Sequence, residues 1–185
     1  FRLSDDELRP LGRTARGVRA MNLRPGDQLV SMDVLPVELA DRVETSSASS
    51  DDDGDSDSDE VAASEGPWVL VASASGLGKR VPVDQFRLQK RAGMGLRAMK
   101  FRREGDVLVG LKVLGAGEEL LLVSERGVIV RTKADAIPQQ SRAATGVRVQ
   151  KLDSGDRLTE VVLVPPAPDE EPGDLDAQAA DSDNS

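Results

Sequence analysis

Arginine returns in one fixed setting along this chain. The pattern Arg-x-x-x-Gly-[Val/Leu]-Arg runs from Arg13 to Arg19, from Arg91 to Arg97 and from Arg142 to Arg148. A guanidinium offers parallel N–H donors to a phosphate or carboxylate, and a glycine beside it lets backbone N–H groups approach the same anion. The chemistry on offer is therefore the binding of anions. Bond-making chemistry lacks its usual side chains, because the sequence has no Cys, no His and no Tyr. That excludes zinc ribbons, Ser-His-Asp triads and thiolate nucleophiles. Glu118-Glu119 and Asp5-Asp6-Glu7 are neighbouring carboxylates at turns, with no cleft between them to work in. No catalytic and no metal-binding residue is assigned. Gly93 to Ala98 fits a dinucleotide fingerprint but leads into a strand, and Gly78-Lys79 lacks the remaining residues of a phosphate loop.

Charge is distributed unevenly. The net charge of −9 conceals residues 67–164, which carry 17 Lys and Arg against 10 Asp and Glu. The acid is concentrated in 46–66, around Asp51-Asp52-Asp53-Gly54-Asp55-Ser56-Asp57-Ser58-Asp59-Glu60, and in 165–185. Dense like charge with few apolar residues cannot offset ordering entropy, so both segments read as disordered. No apolar run is long enough to span a membrane, and no membrane partner is expected.

The elements that position the arginines come from an internal repeat. An offset of 51 superposes Ser73 on Ser124, Gly76 on Gly127, Arg80 on Arg131, Gln89 on Gln140 and Arg97 on Arg148. An offset of 78 brings Arg2 under Arg80, Arg13 under Arg91 and Arg19 under Arg97, the extra length being close to that of the acidic insertion. Each copy reads as four short strands: about 68–73, 77–82, 95–101 and 107–114 in the middle copy, and 119–124, 128–132, 146–152 and 158–164 in the last. Ser75-Gly76 and Arg126-Gly127 mark hairpins, and Gly26-Asp27, Gly105-Asp106 and Gly155-Asp156 mark the final turns. No useful helical periodicity is present. The expected fold is all-β, a propeller of four-stranded blades with about two and a half to three blades present. Its divisions are 1–45 (partial blade), 46–66 (acidic insertion), 67–115 (blade), 116–164 (last blade) and 165–185 (acidic tail). The first copy lacks its opening strand, so the chain reads as the end of a larger propeller.

The blade motif is Gly76-Leu77-Gly78-Lys79-Arg80, then Gln89-Lys90-Arg91-Ala92-Gly93-Met94-Gly95-Leu96-Arg97. It resembles the C-terminal domain of the DNA gyrase A protein, a six-bladed pinwheel that wraps DNA around its rim. Gln89 to Gly95 resembles that family's Gln-Arg-Arg-Gly-Gly-Arg-Gly box, with departures at Ala92 and Met94, and is taken as a degenerate copy. The resemblance implies a non-catalytic module with duplex DNA as its partner, joined to the remaining gyrase A domains and the ATPase subunit in a heterotetramer. ATP and Mg²⁺ would serve the whole enzyme elsewhere, in the cytoplasm at the nucleoid. The acidic tail would compete with DNA for the rim.

The expected DNA contacts, from the repeated cations together with what that resemblance implies for the box, are Arg13, Arg16, Arg19, Lys79, Arg80, Gln89, Lys90, Arg91, Gly93, Gly95, Arg97, Arg131, Arg142 and Arg148. With 2% aromatic residues and no recognition helix, neither base stacking nor groove readout is expected. Binding should follow the DNA backbone and weaken steeply with salt. The alternatives are the corresponding protein of topoisomerase IV and a propeller that binds acidic proteins.

Overall fold

A computed structural model describes residues 1–46 and 64–164, so the expectation of disorder for most of the insertion and for the tail lies outside the described residues. Strand β1 (Trp68–Ser73) turns through Ser75-Gly76 into β2 (Leu77–Pro82), and β3 (Leu108–Leu114) returns antiparallel on the other side of β1. The last copy repeats this with β4 (Glu119–Ser124), β5 (Ile129–Lys133) and β7 (Leu158–Val164).

The third strand departs from the sequence expectation. In the last copy it shrinks to β6 (Val147–Arg148), which pairs with β2 of the copy before it, Leu77 opposite Arg148 and Gly78 opposite Val147. The sheets therefore run β3-β1-β2-β6 and β5-β4-β7, and one repeat in sequence is not one sheet in space. In the middle copy 95–101 forms no strand, and residues 1–36 form only a 3-10 turn at Asp5–Glu7 and isolated bridges at Arg2 and Met21. The physical reason is shared. A third strand needs the second strand of the preceding copy, and a fourth strand needs its own first strand. At the repeat offset the residues equivalent to Lys79–Pro82 are Phe1–Ser4, and they contribute only the isolated bridge from Arg2 to Leu88.

Packing follows from the pleat. On β1, Leu70 and Ala72 face a core with Leu114, Leu120, Leu122, Ala134, Ile137, Leu158 and Val161, while Val69 and Val71 face a second core with Val81, Val83, Phe86 and Met99. A strand covered on both faces reads as a continuous apolar run, as Trp68-Val69-Leu70-Val71-Ala72 does. Strand β4 alternates between buried and half-buried residues instead. Helix α1 (Val37–Ser46) departs from the all-β expectation, and its Val43 packs into the second core. Leu39, Ala40 and Val43 stand at helical spacing just after Pro36, a helix-start signal cut short by the acidic run.

The final turns serve the hairpins. Asp106 accepts from the Ser75 backbone N–H at 3.1 Å and its hydroxyl at 2.6 Å. In the same role in the last copy, Asp156 accepts from the N–H groups of Arg126 and Arg157. The Ser124 hydroxyl, first, and those two N–H groups hold the Asp156 carboxyl below its ordinary value.

Candidate nucleic-acid interface

Each of the three arginine arrays enters its third segment through a glycine of positive φ: Gly17 at +78°, Gly95 at +83° and Gly146 at +88°. The copies share a backbone conformation as well as residue types. At Gly146 the requirement is doubled, since a Cβ there would lie 2.8 Å from the Gly78 carbonyl oxygen. The glycines thus shape turns and allow close packing, and the cations are carried on the loops they shape.

Arg13, Arg16, Arg19, Lys90, Arg91, Arg97 and Arg148 are exposed, and among the described residues no carboxylate forms an ion pair with any of them. Arg19 donates to the Asn22 side-chain oxygen at 3.3 Å. Residues 87–95 curl around a shallow cavity of about 490 Å³, with Arg87, Lys90 and Arg91 on its walls and Gly93 and Gly95 behind them. Gln89, Gly93 and Gly95 are half-buried there. Arg142 is half-buried and reaches the Arg97 carbonyl at 3.4 Å. Arg131 is exposed, but Glu119 on the neighbouring strand takes its guanidinium in an ion pair.

Two expected contacts lie elsewhere. Lys79 is fully buried, and its ammonium donates to the backbone carbonyls of Ser141 at 2.6 Å, Arg142 at 2.8 Å and Ala144 at 2.6 Å. Arg80 is 9% exposed. It donates to the Ile137 carbonyl at 2.7 Å, pairs with Asp135 at 2.9 Å and lies 4.6 Å from the Trp68 ring centre. This corrects the reading of both as surface cations: the segment 135–144 of the last copy packs over β2 and takes both side chains out of solvent. They hold one copy to the next. The sequence offered one signal for this role, the matching Arg2, which reaches the Phe86 carbonyl at 3.4 Å as Arg80 reaches Ile137.

Among the described residues no group of three or more metal-ligating side chains gathers, and no helix is long and apolar enough to cross a membrane.

Repeated antiparallel sheets that trade a strand between copies, with glycine-shaped cationic loops, define a propeller module of a repeat protein. The model of the DNA gyrase C-terminal domain, beta-propeller, matches residues 1–36, 67–114 and 118–165, and the chain belongs to that family. The DNA gyrase A protein of Synechocystis sp. is 46% identical over 175 residues, covering 92% of this chain and 20% of that protein. Its Staphylococcus epidermidis counterpart is 34% identical over 164 residues, covering 89% of this chain and 16% of that protein. The chain thus spans about a fifth or less of the length of these relatives. A solved gyrase A C-terminal domain is 32% identical with a TM-score of 0.50, covering 54% of this chain and 34% of that one. The C-terminal domain of DNA topoisomerase IV, at 21% identity, shares the fold with a TM-score of 0.66 over 88% of this chain and 42% of that one.

Proposed function

We propose that this chain binds, bends and wraps duplex DNA without reading its sequence, as the non-catalytic C-terminal module of a gyrase A protein. One observation carries the proposal: exposed arginines that, among the described residues, have no carboxylate ion-pair partner recur at equivalent positions in all three copies, Arg19, Arg97 and Arg148. Surface cations kept for solubility have no reason to keep a repeat register, whereas a polyanion laid across successive copies meets the same position each time. Specificity would come from the bendability of DNA, since the contacts are to phosphate. In this reading the remaining gyrase A domains and the ATPase subunit supply strand passage, with ATP and Mg²⁺ used there, and the assembly acts in the cytoplasm on nucleoid DNA to introduce negative supercoils.

The test is charge reversal of Arg91, Arg97, Arg142 and Arg148 to Glu, followed by duplex binding across a salt series. The slope of log affinity against log salt should fall by about four, roughly one per phosphate contact. An unchanged slope would remove this rim as the DNA surface. Retained capture of an acidic protein with no DNA affinity in the unmodified chain would favour a protein partner instead.

A further inference from the structure

Four residues beyond the arginine arrays, Lys100-Phe101-Arg102-Arg103, lead the middle copy from its third segment into its final turn. The turn is closed by the Asp106 N–H donating to the Arg103 carbonyl at 3.3 Å, with Gly105 at a φ of +80°. Lys100, Arg102 and Arg103 are exposed, and among the described residues no carboxylate forms an ion pair with them. The nearest acids do little to balance them. The Asp106 carboxylate is turned inward onto Ser75 and the Val107 N–H, which leaves Glu104 as the acid exposed beside them.

The other copies show that the turn needs no such charge. The equivalent residues are Asn22-Leu23-Arg24-Pro25 in the first copy and Lys151-Leu152-Asp153-Ser154 in the last. In the last copy the turn is balanced further, because Arg157 pairs with Glu125 at 2.9 Å. Leu152 packs on the preceding hairpin at Gly76, whereas Phe101 at the same repeat position is exposed, and the three cations beside it carry the binding. Mutual repulsion among them costs stability that solvation alone does not require, and an anion would relieve it.

We propose that Lys100, Arg102 and Arg103 form a second phosphate-binding patch that grips the same duplex at the final turn of the middle copy. The inference rests on the DNA-wrapping reading above. Arg97 precedes the bend at Arg102 and Arg103, and the patch lies on the bend itself. The patch therefore carries the anion-binding surface of the middle copy on from the arginine array into its final turn. The middle copy then holds the duplex at two points. The last copy, with Asp153 where the middle copy has Arg102, holds it at one and lets it leave.

The test uses the full-length protein that carries this chain and a duplex of mixed sequence. Arg102→Glu with Arg103→Glu should weaken binding about tenfold at low salt and lower the salt slope by about two. Placing Arg at both Asp153 and Ser154 should raise the slope by about two. Unchanged slopes in both variants, alongside a reduced slope in Arg91→Glu with Arg97→Glu, would overturn the patch and leave the wrapping reading standing. No change in any of the three would overturn both. A loss of affinity with unchanged slope and a lowered melting temperature would make the patch structural. Tighter DNA binding in the reversed variant that disappears on deleting 165–185 would show that the patch holds the acidic tail instead.

Discussion

At the junction of the first and middle copies, Phe1 lays its ring against Gly93, where an added Cβ would come within 2.7 Å of it. At the junction of the middle and last copies the same repeat position is Lys79, whose ammonium is saturated by three carbonyls of the loop 141–144. The backbone contacts of the two seams match. Gln89 donates to the Arg2 carbonyl at 3.0 Å and Gln140 to the Arg80 carbonyl at 2.9 Å. Asn22 donates to the Gly93 carbonyl at 2.9 Å and Lys100 to that of Ala144 at 3.2 Å. One seam is closed by an apolar contact, the other by a buried cation. The loop that Lys79 grips is drawn inward, with Ala143, Ala144 and Gly146 buried, while Lys90, Arg91 and Met94 stand exposed at the other seam. The side chain at a single repeat position thus accompanies either a loop presented to a ligand or a loop used to join copies.

The contrast is sharpest at Lys79. Lys79→Met keeps the volume but removes the ammonium donor to the Ser141 and Arg142 carbonyls and leaves Ala144 with the Lys100 N–H alone, and should cost about 3 kcal/mol, read as a lower urea midpoint at unchanged m-value. A loss below about 1 kcal/mol would mean that the loop re-solvates freely and that the latch is incidental. Arg80→Ala comes next. It removes the bond to Ile137, the pair with Asp135 and the stacking on Trp68, for about 2 kcal/mol, whereas Arg2→Ala at the other seam should cost less than about 1 kcal/mol. Equal losses in thermal unfolding would erase the distinction between the seams. The smallest effect is a gain. Ala92 holds a φ of +63° in the exposed loop, and Ala92→Gly relieves that strain at the cost of a freer unfolded chain. The net stabilisation should be about 0.5 kcal/mol, with a small rise in melting temperature. A fall would show that the loop is anchored to Ala20 and Asn22 by more than its backbone bonds.

Much of this was legible in the sequence because it is local. The hairpins at Ser75-Gly76 and Arg126-Gly127, the turns ending in Asp106 and Asp156 and the strands β1, β2, β3, β4, β5 and β7 all follow from alternation and turn chemistry, and all fall within a residue or two of expectation. The exchange of β6 was not legible, since the pairing of Leu77 with Arg148 depends on a neighbour that no pattern within one copy specifies. The misplacement of Lys79 and Arg80 follows from that. Taken alone, Gly78-Lys79-Arg80 is an edge strand carrying charge, and only the arrival of the next copy makes it interior. At the rim the repeat register identified Arg19, Arg97 and Arg148 as exposed, but it gave Arg131 the same standing, because a register cannot see Glu119 on the adjacent strand.

The exchanged strand also imposes an order on synthesis. Leu77 leaves the ribosome 71 positions before its partner Arg148. At about 5 to 20 residues per second, the outer edge of β2 therefore waits roughly 4 to 14 s with its hydrogen-bonding groups unclaimed. An open edge of this kind recruits strands from other nascent chains, and charge along it is the usual deterrent. Lys79 and Arg80 supply that charge during the wait. The two residues that guard the unfinished edge are the ones that lock it once the next copy docks.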